Sequence, residues 1–434
     1  MIRPKFREDA SVLSHPESAA LPGSPRTVEV TVRNKVVPAL TALLAGVVVA
    51  ACGTPGSSAS GDTTGTVKVA IIPPSSGALA QFGSDTVKGW QYAVDTVNAQ
   101  GGVNGKQVEL VRMDTDATSA TTLRAAREAV TQRGAQFIGG VMTSTENGAL
   151  NQQLESLGAL SFNSLGKDDA LTGKDCAANA FRTVQTNQMD VNALAGQLRN
   201  LPGDKWAVQA VDYSTGHTAA EIFRQAAQAA GKQVVLEQYA PLNTTEFGSY
   251  ITKLQASDAD ALFAVEYGAD GVSFVNQAAQ FNLPAKFRTV LGFNMVSEPL
   301  FPALGSKITG FYNNVGYDVN AANPLNQQFV QGFQQKYGSK PYYVEADAYL
   351  AAETLFAGIR KAGSAEPDKV RAALNNLSFD SITGQVTMRA GDHQLVRPSY
   401  LGQVVQDGSG LAFKIIASAP GTRTTPQADP ACKL

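Results

Sequence analysis

Residues 67–113 read VKVAIIPPSSGALAQFGSDTVKGWQYAVDTVNAQGGVNGKQVELVRM. Residues 67–72 form a β-branched run closed by Pro73 and Pro74, which cannot donate to a strand ladder. Val87, Trp90, Val94 and Val97 then recur near helical spacing until Gly101 and Gly102, where a helix is expected to stop. Residues 108–113 (VELVRM) read as a second strand that ends at Asp114. Strand, helix and strand in this order predict parallel strands joined by a right-handed crossover.

The alternation continues outward from that unit. Helices are expected over 119–133 and 147–157, and strands at 137–138 and 160–162. A second series follows, with helices expected over 187–199, 217–230, 246–256 and 270–281. Its strands are expected over 206–211, 233–239, 261–265 and 287–291. A helical pattern resumes beyond Tyr317. Two such series predict an α/β protein of two doubly wound, Rossmann-like lobes.

The chain has 434 residues, 44% of them hydrophobic, enough for two cores of ordinary size. Its 35 basic and 37 acidic residues leave a formal charge of −2. Without a basic surplus to neutralise phosphates, nucleic-acid binding is not expected.

The first residues read differently. Residues 1–31 mix charges, prolines and serines without a hydrophobic period and are not expected to belong to the working protein. Arg33 and Lys35 precede an apolar run over 36–51, shorter than the roughly 20 residues of a spanning helix. Residues 32–52 therefore read as a secretory signal. Val49, Ala50, Ala51 and Cys52 resemble a lipoprotein signal box, which implies cleavage before Cys52 and acylation of its thiol. Residues 53–66 are rich in Gly, Ser and Thr and read as a flexible tether from a lipid anchor. A buried helix that happens to hold a cysteine is the plainer alternative, and the tether argues against it. With Cys52 acylated, Cys176 and Cys432 remain as an even pair in an oxidising compartment, and a disulfide pinning the C-terminal tail is expected.

Ligands of open α/β sheets sit outside the carboxyl ends of the strands. The loops there are polar: Ser75 and Ser76 before Gly77, residues 139–146 (GGVMTSTE), 163–167 (NSLGK), 212–216 (DYSTG), 266–268 (EYG) and 292–294 (GFN). In 139–146 the glycines permit close backbone approach. The hydroxyls of Thr143 and Ser144 either cap the next helix or meet an anion at its positive end.

Residues 67–83 (VKVAIIPPSSGALAQFG), 89–105 (GWQYAVDTVNAQGGVNG), 137–145 (FIGGVMTST) and 212–216 resemble the periplasmic-type solute-binding proteins of branched-chain amino acid ABC importers, the leucine-binding type. The resemblance runs over nearly all of 66–420, and residues 388–394 (MRAGDHQ) look like a branch with more varied ligands. It implies a type I periplasmic binding protein, with lobes joined by three crossover strands and the solute held at the hinge. The first lobe is expected at 67–185 plus 315–395, the second at 186–314 plus 396–420, with 421–434 as a tail. The implied partners are a small solute and the membrane permease of an importer. The protein is expected to be a monomer with no cofactor and no metal, outside the cytoplasm.

Carried over by position, the resemblance places the solute's carboxylate and part of its amine at the loop of Thr143, where Ser144 is also expected to bind, and at the backbone near Leu165 and Lys167. Phe82 packs on the solute body, Ser76 lines the first strand end, and Tyr267 stands on the second lobe. This chain departs from the pattern in three ways. Lys167 replaces a threonine. Thr215 stands near an expected tyrosine, with Tyr213 two residues away. Asn294 replaces the glutamate that meets an α-ammonium. Glu266 either substitutes for that glutamate or points away, and Lys167 either serves the solute or is solvated at the lobe edge. The lysine and the lost glutamate favour a small carboxylate or amide over a free amino acid.

An enzyme is not expected. The three histidines, His15, His217 and His393, lie far apart in sequence, and no metal-ligand spacing, nucleophile elbow or phosphate loop occurs. Asp212, Ser214 and His217 share letters with a triad but fall in one loop, and His217 is expected to open a helix. A secreted hydrolase is thus the remote alternative. The same module acting as a receptor for a signalling partner is the nearer one.

Overall fold

The structure is a computed structural model that describes residues 65–434 apart from Ser409. The expected signal segment, Cys52 and most of the tether lie outside these residues. All the described residues belong to one unit, Ala59–Leu434.

The opening unit folds as its pattern implies. β1 (Val67–Ile71) and β2 (Val108–Arg112) flank the helix Ala80–Ala99 and pair in parallel. β3 (Phe137–Gly139), β4 (Leu160–Asn163) and β5 (Ala180–Arg182) complete a five-stranded sheet of order β2-β1-β3-β4-β5. Trp90, Val94 and Val97 of the helix are buried against this sheet with Phe137 and Phe162.

The second sheet is built from β6 (Lys205–Val211), β7 (Gln233–Ala240), β8 (Ala261–Val265), β9 (Thr289–Gly292) and β10 (Tyr312–Val315). Beyond β10 the chain returns to the first lobe. There the helix Tyr343–Ala362 buries Leu350, Leu355 and Phe356 in the cluster that holds Trp90. A small antiparallel sheet follows, of β11 (Ser378–Ser381), β12 (Gly384–Met388) and β13 (Leu395–Val396). β14 (Ser399–Asp407) and β15 (Gly410–Ala419) then extend the second sheet as an antiparallel hairpin, giving the order β15-β14-β10-β9-β8-β6-β7. Val315 pairs with Tyr400 in that sheet, one residue beyond the expected lobe boundary.

Three helices begin earlier than their apolar period implies. They run over Ser144–Asn151, Ser214–Ala229 and Gly268–Gln280. Their first turns are polar or glycine apart from Ala269, so no large apolar residue announces them. The segment expected over 147–157 is also two helices, Ser144–Asn151 and Leu154–Leu157. Among the described residues no helix is long and apolar enough to cross a membrane.

The chain passes between the lobes after β5, after β10 and between β13 and β14. Two buried side chains tie these passages together. Gln185 Nε2 donates to the carbonyls of Gly316 (3.0 Å) and Pro398 (2.8 Å). The Arg397 guanidinium donates to the carbonyls of Thr183 (3.1 Å) and Gly316 (3.0 Å), and to Asp347 Oδ1 at 2.6 Å. Each passage is thus bonded to both of the others. Cys176 and Cys432 are bonded.

Candidate functional site

The strand ends of the two lobes face one another across a closed cleft. Its narrow cavity, 40 Å³, is lined by Leu79, Phe82, Met142, Thr143, Ser144, Leu165, Lys167, Tyr213, Thr215, Tyr267, Asn294 and Tyr343. Nine of the eleven residues expected at the site are therefore brought together.

Thr143 is the N-cap of the helix Ser144–Asn151. Its hydroxyl donates to Glu146 Oε2 at 2.8 Å and accepts from the Glu146 N–H at 3.1 Å. Thr122 Oγ1 holds the other oxygen of Glu146 at 2.5 Å. The hydroxyl is thus engaged in the cap, and what this end offers a solute is the unpaired N–H groups of a first helical turn. Gly139 serves the core rather than a solute: a Cβ there would lie 2.4 Å from the Trp90 ring.

The loop 163–167 is shaped by Asn163, whose Oδ1 accepts from the N–H groups of Leu165 (3.1 Å) and Gly166 (2.7 Å). The Leu165 N–H is therefore taken, and Leu165 contributes its apolar side chain to the cavity. Lys167 is buried, not solvated at an edge. Its Nζ donates to Asp190 Oδ2 at 2.6 Å and to Asn294 Oδ1 at 3.1 Å. Asn314 Nδ2 donates to those same two oxygens at 2.9 Å each, and Asn314 Oδ1 accepts from the Asn294 N–H at 2.6 Å. Ser144 Oγ accepts from the Asp168 N–H at 3.1 Å and shares a hydrogen bond with Thr215 Oγ1 of the opposite lobe.

The walls are aromatic. Phe82 meets Tyr343 edge-on, with ring centroids 6.3 Å apart, and Tyr213 tilts against Tyr267 at 6.2 Å. Burial raises the Tyr213 and Tyr267 hydroxyl pKa values, so both remain neutral donors. Tyr213, Tyr267 and Tyr342 each precede a helix, Ser214–Ala229, Gly268–Gln280 and Tyr343–Ala362. Among the cavity-lining residues, the Tyr267 hydroxyl and Asn294 Nδ2 are buried without a protein partner, and beside Lys167 so is Asp190 Oδ1. Two polar groups left in that condition at a cavity wall await an outside partner.

Two expected residues fall elsewhere. Ser76 is exposed, because its loop turns outward before the helix brings Leu79 and Phe82 to the cavity. Glu266 points into the second lobe, since Tyr267 takes the cleft side and successive side chains alternate. Gln209 Nε2 donates to Glu266 Oε1 at 2.7 Å, and Gln238 Nε2 to Gln209 Oε1 at 2.7 Å. Burial pushes the Glu266 pKa up to about 8, against the Gln209 hydrogen bond and with help from Asp270.

The sign of that shift yields a prediction. A raised carboxyl pKa contributes stability below the unfolded value, near 4.3, that is lost as pH rises toward about 8. Glu266→Gln removes the titration, so its stability relative to wild type should rise by about 3–4 kcal/mol between pH 5 and pH 8. Denaturant midpoints of both proteins at the two pH values measure this. A constant difference would mean that Glu266 is ionised in the fold.

Leu79, Met142, Tyr343, Asp190 and Asn314 were not expected at or behind the site. Met142 lies in the polar loop 139–146, and the tyrosine pair Tyr342 and Tyr343 before a helical pattern is a second available signal. His217 bonds Asp212 at 2.8 Å, both half exposed, and lies in the first turn of its helix instead of opening it. No group of three or more His, Cys, Asp or Glu residues that could hold a metal occurs among the described residues.

A model of the periplasmic binding protein family matches residues 66–409. The Leu/Ile/Val-binding protein homolog 8 of Brucella abortus (strain 2308) is 30% identical over 361 residues, covering 79% of this chain and 89% of that one. The amino acid ABC transporter substrate-binding protein from Pseudomonas fluorescens Pf-5 superposes with a TM-score of 0.76 at 24% identity, covering 86% of this chain and all (100%) of its own. A solute binding protein of an ABC transporter from Rhodopseudomonas palustris HaA2, in complex with p-hydroxybenzoic acid, gives 0.76 at 24% identity, covering 85% and 98%. The architecture is that of type I periplasmic binding proteins.

Proposed function

This chain belongs to the periplasmic binding protein family, and on that footing we propose that it captures a small carboxylate, or the matching amide, for an ABC importer. Members of the family are substrate-binding proteins of ABC transporters and not enzymes, and act outside the cytoplasm. The observation that carries the solute class is the pair of buried, unpartnered donors, Tyr267 Oη and Asn294 Nδ2, beside Lys167. Helix N-termini from both lobes at the cleft add partial positive charge. Both features ask for an acceptor on the solute, and the aromatic walls ask for a flat or apolar body. The aromatic acid bound by the R. palustris protein has this chemistry. A free amino acid lacks a matched carboxylate at the cavity wall, because Glu266 faces away and Asp190, whose Oδ2 is taken by Lys167 and Asn314, does not line the cavity.

Binding works by hinge closure, since contacts from both lobes favour the closed state. The test is melting of the protein with benzoate, benzamide and leucine. A solute at 100 times its Kd adds about 2.7 kcal/mol. A shift with benzoate or benzamide and none with leucine is expected; the reverse pattern would refute the assignment.

The protein works as a monomer held at the membrane through Cys52. Support for the anchor is the Val49-Ala50-Ala51-Cys52 box and the tether behind it. Mass spectrometry of the mature N-terminal peptide should find a diacylglyceryl group on Cys52; an unmodified thiol there would exclude the anchor.

A further inference from the structure

The ammonium in the cleft already has a countercharge. Lys167 comes from the loop after β4, whereas Asp190 comes from the helix Asn187–Leu198, which packs on the second lobe. Their side chains are 5% and 0% exposed, at 2.6 Å. Asn314 adds a second donor to Asp190 Oδ2, and Asn294 Oδ1 accepts from both Lys167 and Asn314. Asp347, which feels the fields of both Lys167 and Asp190, is itself bonded to Arg397, so no further net charge stands behind the pair.

An ammonium placed only to meet a solute anion needs no such partner. Buried alone, it would require an anion before the lobes could close. Paired, it leaves the empty cleft neutral and still has one of its three N–H groups for a solute. We propose that Asp190 is a specificity-determining positioning residue that sets the charge class of the solute. It holds Lys167 partly neutralised, so that a monocarboxylate and its uncharged amide both close the cleft. The inference rests on the carboxylate-or-amide reading above.

The experiment measures Kd for benzoate and benzamide by calorimetry on wild type, Asp190→Asn, and the double variant Lys167→Met with Asp190→Asn. In Asp190→Asn the lysine loses its countercharge, so the benzamide-to-benzoate Kd ratio should rise about tenfold or more. The double variant removes both charges and should return the ratio to within about threefold of wild type. A merely structural role for Asp190 would weaken both solutes alike and leave the ratio unmoved, which overturns the inference alone. If Asp190→Asn does not fold, Lys167→Met serves instead: benzoate should then weaken about tenfold more than benzamide, and equal weakening overturns the inference. Wild type binding neither solute overturns the solute-class reading, and the inference with it.

Discussion

Replacing Arg397 by methionine should lower stability by about 3–5 kcal/mol, the cost of leaving one partner of a buried ion pair alone. Arg397 is 1% exposed and lies between β13 and β14, on the third passage between lobes. Methionine fills much of its volume but donates nothing. Asp347 then keeps a buried carboxylate without its countercharge, and the carbonyls of Thr183 and Gly316 lose a donor. Adding Asp347→Asn to Arg397→Met should recover part of the loss, because the two residues share one interaction. Urea midpoints at unchanged slope measure it. A loss below about 1 kcal/mol, the ordinary range of a surface site, would show that Arg397 does not clasp the passages.

Cys432→Ser should cost about 2–5 kcal/mol. The bond to Cys176 closes a loop spanning 256 positions, and the chain-entropy model allows a little over 5 kcal/mol for a loop of that order. The tail that carries Cys432 leaves β15 in the second lobe. Asn192 Nδ2 of the helix Asn187–Leu198 donates to the Thr424 carbonyl at 2.7 Å, and Arg389 Nη1, from beside the small sheet, to that of Pro426 at 2.5 Å. Cys176 lies between β4 and β5 of the first lobe. The disulfide thus fastens a chain arriving from the second lobe onto the first, and a reductant should lower the wild-type midpoint to that of Cys432→Ser. Free thiols at both positions in non-reducing peptide mapping, or a midpoint indifferent to reductant, would dismiss this role.

Much of the architecture is local and therefore legible. The β-branched run at 67–72, the helical spacing from Val87 to Val97 and the glycines behind it are period and propensity written into neighbouring residues. Helix starts are less legible, since Ser144, Ser214 and Gly268 carry no apolar period; Thr143 caps the first locally through Glu146, while Tyr213 and Tyr267 make no side-chain capping bond. The loops at Thr143, Lys167, Tyr213, Tyr267 and Asn294 could be found because strand ends are where such sheets bind.

Part of what the loop residues do is local: the Thr143 hydroxyl goes to Glu146 three residues on, a legible capping box, and the Leu165 N–H goes to Asn163 two residues back. The rest is decided by competition in space. Glu266 turns to Gln209, although its neighbour Tyr267 faces the cleft. Two α/β lobes, a cleft at their strand ends, and Cys176 with Cys432 as the pair to be bridged can be read along the chain. That Lys167 meets Asp190, and that Arg397 and Gln185 bind the passages together, comes from packing in three dimensions. Those partners stand 23 to 214 positions apart, a separation at which no local pattern records which side chain will be waiting.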